Sequence, residues 1–165
     1  FKEADHLMQI GNYSAAIKLL KKFRKKYPKE ALISFNLGVV YYKAEMFIKS
    51  IYSLEEAISL GADNSEVYNQ LGLACDKNGD TEGGRAYFKK ALDDNPLFAM
   101  AWNNLGVSYF LTQDYLSARA YFEKAVEMNN EDPDCWFNLR DTYIELGLRD
   151  EAELADIKYH ELVRH

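Results

Sequence analysis

The 165-residue sequence has little of several features that would mark a particular class of protein. It contains three prolines and nine glycines, which is too few for a fibrous or disordered chain. No apolar run approaches the roughly 20 residues that a transmembrane helix needs, so we predict no direct membrane insertion. The hydrophobic content of 48% and the aromatic content of 14% favour a stack of helices in which large rings fill the gaps.

Patterns that mark an active site or a metal site are also lacking. The three histidines lie near the chain ends without the spacing of paired metal ligands: His6, His160 and His165. No Ser-His-Asp or Cys-His pairing stands out. No phosphate-binding loop is present either, because Gly79, Gly83 and Gly84 belong to a turn and the start of a helix. We therefore predict a non-enzymatic chain with no cofactor and no bound metal.

The two cysteines, Cys75 and Cys135, lie 60 residues apart. We expect Cys75 to act as a small buried hydrophobe and expect no disulfide, so cysteine usage does not decide the compartment. The sequence begins at Phe1 without a methionine, and we interpret it as a segment of a longer protein. We expect a soluble chain and favour the cytoplasm; a removed signal peptide or membrane anchor is the alternative.

The net charge of −6 hides an asymmetry along the chain. Residues 1–30 contain eight basic and three acidic residues, whereas residues 31–165 contain 12 and 23. Between positions 18 and 29 the basic residues alternate with apolar ones at helical spacing, which predicts a basic amphipathic helix. We interpret it as a solvated outer face, with an acidic partner or anionic lipid as the alternative. The acidic remainder argues against nucleic-acid binding.

A 34-residue period organises the whole sequence. The Leu-Gly pairs Leu37-Gly38, Leu71-Gly72 and Leu105-Gly106 recur at this interval, and other residues keep the same phase. A fixed period of this size is typical of stacked supersecondary units, none of which can bury its apolar face alone. We predict a single domain over 1–165 in which 31–64, 65–98 and 99–132 are clear repeats, flanked by a degenerate first pair (1–30) and an altered C-terminal capping repeat (133–165).

Each repeat is predicted to form two helices, A and B. In the repeat 99–132, helix A covers Ala99 to Leu111 and helix B covers Tyr115 to Met128, with a polar break between them. Gly38, Gly72 and Gly106 fall mid-helix, where glycine costs roughly 1 kcal/mol relative to alanine. We therefore predict that helices A and B approach there too closely for a Cβ atom. Small residues are expected opposite: Ser50, Gly84, Ala118 and Ala152.

These spacings resemble the tetratricopeptide repeat family, whose pattern is W-x2-L-G-x2-Y followed by A-x3-F-x2-A and a closing proline. Residues 99–132 match it except at the closing proline, with the matching residues Trp102, Leu105, Gly106, Tyr109, Ala118, Phe122 and Ala125. The last repeat departs from it, with Arg140 at the glycine position and Asp156 at the phenylalanine position. The resemblance implies an all-α fold, an α-α superhelix whose A helices line a concave groove for protein partners.

Projecting the repeat onto that groove gives our candidate peptide-binding residues. One column contains only carboxamides, namely Asn36, Gln70, Asn104 and Asn138. An amide can both donate to and accept from an extended peptide backbone, and the column resembles the asparagine ladder of O-linked N-acetylglucosamine transferase. The alternative is that these amides bond only to neighbouring helices or water. The other candidates are Phe35, Asn69, Asn103, Phe137, Leu73, Val107 and Phe110.

Chaperone-binding members of the family clamp a terminal carboxylate with Lys and Arg at helix A positions. Here those positions hold Phe35, Val39, Met100 and Asn104, so we do not expect such a ligand. The acids Glu66, Asp76, Asp134 and Asp141 are expected on the same face. We therefore predict an extended or helical peptide with hydrophobic anchors and some Lys or Arg.

The leading functional hypothesis is a non-enzymatic protein-binding adaptor whose partner the sequence does not identify. One alternative is a scaffold that self-associates through the terminal helix face of Tyr159, Leu162 and Val163. Another is an accessory repeat domain of a larger protein. An RNA-binding repeat would need a basic groove, which the sequence does not predict.

Overall fold

A computed structural model describes residues 2–164 of the chain. These residues form ten α-helices and no strand, which confirms the predicted all-α class. The helices are α1 Lys2–Gln9, α2 Tyr13–Lys26, α3 Ala31–Lys43, α4 Phe47–Ser59, α5 Ser65–Lys77, α6 Thr81–Asp94, α7 Ala99–Leu111, α8 Tyr115–Met128, α9 Pro133–Glu145 and α10 Arg149–Val163.

Helices adjacent in the sequence pack on each other from α1 to α5 and again from α7 to α10. The predicted bounds of the pair in residues 99–132 are confirmed, since α7 and α8 begin and end at the predicted residues. Contacts divide the chain within α6 into a first unit up to Lys90 and a second unit from Ala91 onward. Each unit has its own interior, and the single domain over 1–165 stays a prediction.

The leucine of each Leu-Gly pair lies in the interior of its unit. Leu37 and Leu71 are fully buried in the first unit, and Leu105 is fully buried in the second. Leu139, one period later, is buried as well. The 34-residue spacing therefore places one large aliphatic side chain of each of the last four hairpins in the core, which is the reason for its recurrence.

The mid-helix glycines make room for a large side chain on the partner helix. A Cβ atom on Gly38 would lie 2.5 Å from Leu54, and one on Gly72 or Gly106 would lie 2.5 Å from Phe88 or Phe122. The predicted lack of space is thus confirmed, and the occupant is the large side chain of helix B. The small residues also face the glycines: the Ser50 hydroxyl donates to the Gly38 carbonyl (2.8 Å), and a Cβ on Gly84 would lie 2.9 Å from the Gly72 oxygen.

The turn inside every hairpin contains one residue in the left-handed region. These residues also recur every 34 positions, as Gly11, Glu45, Gly79, Gln113 and Gly147, with φ between 57° and 91°. The N–H of Glu45 donates to the Tyr42 carbonyl and that of Met46 to the Tyr41 carbonyl, both at 2.9 Å. This is the Schellman arrangement, which closes the end of a helix.

Polar side chains and indole groups fix the beginnings of several helices. Asn64 accepts from the Val67 N–H at 3.1 Å and Asp114 accepts from the Ser117 N–H at 3.1 Å, and such caps each contribute about 1 kcal/mol. In the second unit the Trp102 indole N–H donates to the Pro96 carbonyl (2.8 Å). The Trp136 indole repeats this contact with Asn130 (2.9 Å). The two tryptophans therefore anchor the segments that precede α7 and α9.

Both cysteines are buried free thiols, and the predicted burial of Cys75 is confirmed. Burial raises the pKa of the Cys75 thiol to about 11, and neighbouring carboxylates add to the effect. Burial likewise raises the pKa of Cys135 to about 12, with a further contribution from Asp132. Both thiols are therefore protonated at neutral pH and are poor nucleophiles.

Candidate peptide-binding site

The four carboxamides of the predicted column lie on α3, α5, α7 and α9, and all four are half-buried. Asn36 and Gln70 belong to the first unit, and Asn104 and Asn138 belong to the second. Neither the Asn36 nor the Gln70 amide forms a side-chain hydrogen bond to another residue within 2–164. Their donor and acceptor atoms are therefore available for a ligand.

Two of the candidate amides in the second unit bond to each other. Asn138 Nδ2 donates to Asn103 Oδ1 at 3.0 Å, which links α9 to α7. Such bonding between neighbouring helices is the alternative to peptide binding that the sequence left open. It uses one of the two amide protons of Asn138, so the second proton and the Oδ1 atom of Asn138 are left for a ligand.

Asn69 does not belong to the accessible surface. Its side chain sits at the same repeat position as Asn103 and Phe137, but only 1% of Asn69 is exposed. A bound peptide cannot reach a buried amide without displacing the residues around it. We therefore correct the candidate set by removing Asn69.

An apolar cavity of about 230 Å³ in the second unit brings four candidates together. Val107 and Phe110 from α7 meet Phe137 and Asn138 from α9 around it, with Phe122 of α8 also in its wall. Phe137 is 39% exposed. The cavity thus combines aromatic and aliphatic walls with the Asn138 amide and the Asp141 carboxylate, and a mainly apolar pocket with a few polar groups is typical of a site for a single side chain.

Arg140 shapes one side of this region, and the sequence reasoning did not assign it a role in the site. Its guanidinium group lies over the Phe137 ring, 4.3 Å from the centroid, and its Nη2 atom donates to Asp141 Oδ1 at 2.7 Å. Burial alone would lower the pKa of Arg140, but the hydrogen bonds to Asp141 and Asp156 raise it. Arg140 therefore stays charged and partly neutralises Asp141.

This pairing changes the expected charge of the site. Asp141 was one of the acids predicted to attract a basic ligand residue, but its carboxylate already accepts two hydrogen bonds from Arg140. The exposed acids of the predicted face are Glu66 and Asp134. Of the predicted acids, these two are the better placed to attract a Lys or Arg of a partner.

The first unit contains a second cavity of about 340 Å³ beside the beginnings of α3 and α5. Phe35 lies in its wall together with Leu32, Val67 and Glu66. Leu73, the other apolar candidate of this unit, is half-buried on α5. The first unit thus has a cavity with an acidic edge beside its candidate residue Phe35.

The sequence pattern and the helical hairpins point to one family. The family model described as tetratricopeptide repeat matches residues 1–65 and 69–133 of the chain. The chain belongs to the tetratricopeptide repeat family. The resemblance that rested on the Leu-Gly, Trp, Tyr, Ala and Phe spacings is therefore confirmed.

Among curated proteins, the chain is similar to the peroxisomal targeting signal receptor of Candida albicans. The two are 36% identical over 73 residues, which is 44% of this chain but only 12% of the receptor. The chain thus corresponds to a small part of that relative.

Solved structures with the same tetratricopeptide fold cover nearly all of the chain. MamA has a TM-score of 0.82 at 24% identity, covering 98% of this chain and 94% of its own. PilW, a type IV pilus biogenesis factor, has a TM-score of 0.87 at 24% identity, covering 99% and 76%. YrrB, a TPR protein with an unusual peptide-binding site, has a TM-score of 0.70 at 20% identity, covering 96% and 82%. At these identities the likeness extends to the fold alone.

Within residues 2–164 no group of three or more His, Cys, Asp or Glu side chains is placed to hold a metal ion. None of the helices in that range combines the length and apolar composition that crossing a bilayer requires.

Proposed function

We propose that this tetratricopeptide repeat chain is a non-enzymatic interaction module that binds an extended or helical peptide of a partner protein. The ligand would lie on the A-helix faces that the family resemblance predicts to form a groove. One observation carries the proposal: Val107, Phe110 and Phe137 surround an apolar cavity that also has Asn138 in its wall. A hydrophobic side chain and its adjoining backbone could be bound together there.

In this proposal the cavity binds an anchor side chain of the peptide. Its volume of about 230 Å³ suits one leucine-sized or phenylalanine-sized side chain, and burying such a group contributes about 1.5–3 kcal/mol. The second amide proton and the Oδ1 atom of Asn138 would pair with the backbone next to the anchor. Asn36 and Gln70 would supply the same contacts on the first unit.

Electrostatics favour a basic residue beside the anchor. The chain has a net charge of −6, and Glu66 and Asp134 are exposed on the predicted face. Exposed charges of this kind increase the association rate and the specificity more than the affinity. Two relatives support binding of peptides or targeting signals by this fold: YrrB has a peptide-binding site, and the Candida albicans relative is a targeting signal receptor.

Selection from a random peptide display library tests the proposal, followed by fluorescence anisotropy of the selected peptides. We expect the selected peptides to share a hydrophobic anchor with a nearby Lys or Arg. Phe110→Ala should weaken binding at least about tenfold, equivalent to about 1.4 kcal/mol. Asn104→Ala with Asn138→Ala should weaken it as well, because the backbone contacts are lost.

The matched control is Leu116→Ala, which removes an apolar side chain of α8 that is 72% exposed and lies outside the cavity wall. It should leave peptide affinity unchanged. Circular dichroism melting of every variant separates lost binding from lost folding. Selected peptides that bind the Phe110→Ala protein as tightly as the unaltered chain would contradict the proposed site.

A further inference from the structure

A groove of the first unit lies between α1 and α2, away from the peptide-binding candidates. Its volume is about 680 Å³, and its floor contains Leu7 of α1 with Ala15 and Leu19 of α2. Both leucines are half-buried and pack against the core on their other side. The groove is thus an apolar furrow that no helix of the first unit covers.

Lysines surround this apolar floor. Lys18, Lys21, Lys22 and Lys25 line the groove, and Glu3 is its one acidic lining residue. All four lysines are exposed, and they lie on the side of α2 opposite Ala16 and Leu20, which are buried in the core. The basic amphipathic helix predicted from the sequence is therefore the wall of a concave site, with charge at the rim and apolar surface inside.

The exposed face of α10 has the complementary composition. Leu154 is 68% exposed and Ile157 is 50% exposed, and they lie one turn apart. Exposed acids flank them on the same side of the helix: Asp150, Glu153 and Glu161. Glu161 forms an exposed ion pair with Lys158 at 3.4 Å, whereas Asp150 and Glu153 form no ion pair within residues 2–164.

We propose that α10 of one molecule docks in the α1–α2 groove of a second molecule. Leu154 and Ile157 would occupy the apolar floor, while Asp150 and Glu153 would pair with the lysines of the rim. The two surfaces are different, so the contact is heterologous: a closed ring uses every groove and every α10, and an open assembly leaves one of each free at its ends. This self-association is independent of the proposed peptide binding.

Two features select this occupant. A concave furrow fits a rod-shaped helix better than a flat lipid surface, and its positive rim matches the acids beside Leu154 and Ile157. The surface expected for self-association is only partly exposed. Tyr159 packs on Phe137 with ring centroids 5.5 Å apart and Leu162 is half-buried, whereas Val163 is 49% exposed. We place the contact on Leu154 and Ile157 because exposed acids flank these two residues on the same side of α10.

Sedimentation velocity over a range of concentrations tests the proposal. The unaltered chain should associate as its concentration rises. The association should weaken at least about tenfold between roughly 0.1 M and 1 M salt, because the Debye length falls from about 10 Å to about 3 Å. Lys18→Glu with Lys22→Glu should abolish association, and so should Leu154→Ser with Ile157→Ser.

Mixing the two double variants provides the decisive measurement. The Lys18→Glu/Lys22→Glu chain keeps an intact α10, and the Leu154→Ser/Ile157→Ser chain keeps an intact groove. Each alone should be monomeric, and the equimolar mixture should form a heterodimer that grows no further. Lys43→Glu/Lys77→Glu and Leu97→Ser/Leu116→Ser make the same chemical changes at exposed positions elsewhere and should associate like the unaltered chain.

Three outcomes would overturn the proposal. The first is a chain that stays monomeric up to its solubility limit. The second is association that both double variants retain while circular dichroism shows them folded. The third is a mixture without heterodimer. A monomer that sediments with phosphatidylserine vesicles, and loses this in Lys18→Glu/Lys22→Glu, would assign the groove to a lipid surface instead.

Discussion

Arg140 and Asp156 form an ion pair at the place where earlier hairpins put a glycine against a large apolar side chain. Arg140 Nη1 lies 3.0 Å from Asp156 Oδ1, whereas Gly106 lies under the Phe122 ring. The two departures of the last repeat from the family pattern are therefore one exchange. Arg140 provides a long cationic side chain where the earlier hairpin has Gly106. Asp156 provides a carboxylate where that hairpin has Phe122, whose ring would clash with a side chain at the glycine position.

This relationship predicts that the two positions are energetically coupled. Arg140→Gly or Asp156→Phe alone should destabilise the chain by about 1–2 kcal/mol, because each leaves its partner in the wrong environment. The double variant should be more stable than the sum of the single effects predicts, by about 0.5–3 kcal/mol. Urea unfolding of all four proteins measures this coupling, and additive effects would show that the positions are independent.

Gly106→Ala should destabilise the chain even though alanine favours helix by about 1 kcal/mol. The new Cβ would lie 2.5 Å from Phe122, and overpacking of this kind costs about 1–3 kcal/mol. The measurement is the unfolding free energy in urea. The control is Ala120→Gly at an exposed position of α8, where propensity alone acts and glycine is the destabilising residue. A Gly106→Ala protein that is more stable than the unaltered chain would contradict the packing argument.

Glu45→Gly and Gln113→Gly should each stabilise the chain. Glu45 has φ of 57° and Gln113 has φ of 64°, a region that costs a side-chain-bearing residue roughly 1–2 kcal/mol. Part of that gain is offset by the extra freedom of glycine in the unfolded chain, so we expect a net gain of about 0.5–1 kcal/mol. Thermal melting compares them with Thr112→Gly, whose φ of −93° needs no glycine. An unchanged or lower melting temperature for both variants would contradict the prediction.

Stability should fall at alkaline pH because of the buried thiols. The pKa of Cys135 is raised from 9.0 to about 12, and that of Cys75 is raised from 9.0 to about 11. Above pH 9 the unfolded chain loses these protons while the folded chain keeps them. The contribution of the two protonated thiols to the free energy of unfolding is therefore fully present below pH 9. It is lost as the pH rises toward the pKa values of the folded chain.

Each thiol can contribute a loss of at most about 1.4 kcal/mol per pH unit in that window. Urea unfolding at pH 8 and pH 10 measures the slope, and Cys135→Ala should reduce it. Tyr143, whose pKa burial and Glu123 raise to about 12, adds to the loss above pH 10. If the unfolding free energy falls equally between pH 8 and pH 10 in the unaltered chain and in Cys135→Ala, the loss of stability belongs to other groups.

The sequence predicted local structure well because it repeats the same local rules. Three hairpins share the glycine and alanine positions and four share the leucine position, so a departure in one hairpin does not obscure the pattern of the others. The glycines Gly11, Gly79 and Gly147 indicate three of the five turns in the sequence. Glu45 and Gln113 do not indicate the other two, because neither residue type favours the left-handed region that the turn imposes.

The sequence by itself determined the period, the helix pairs and the glycines that must face a large side chain, because these depend on spacing along one hairpin. The tertiary structure alone decided which side chains reach solvent. In it Asn69 is buried and Asn138 is hydrogen-bonded to Asn103. The Arg140 guanidinium lies over the Phe137 ring and pairs with the carboxylates of Asp141 and Asp156. The exposure of a side chain and its hydrogen-bond partners depend on the neighbouring helices that surround it. A position in a repeat pattern does not specify how far away the side chains of those helices lie.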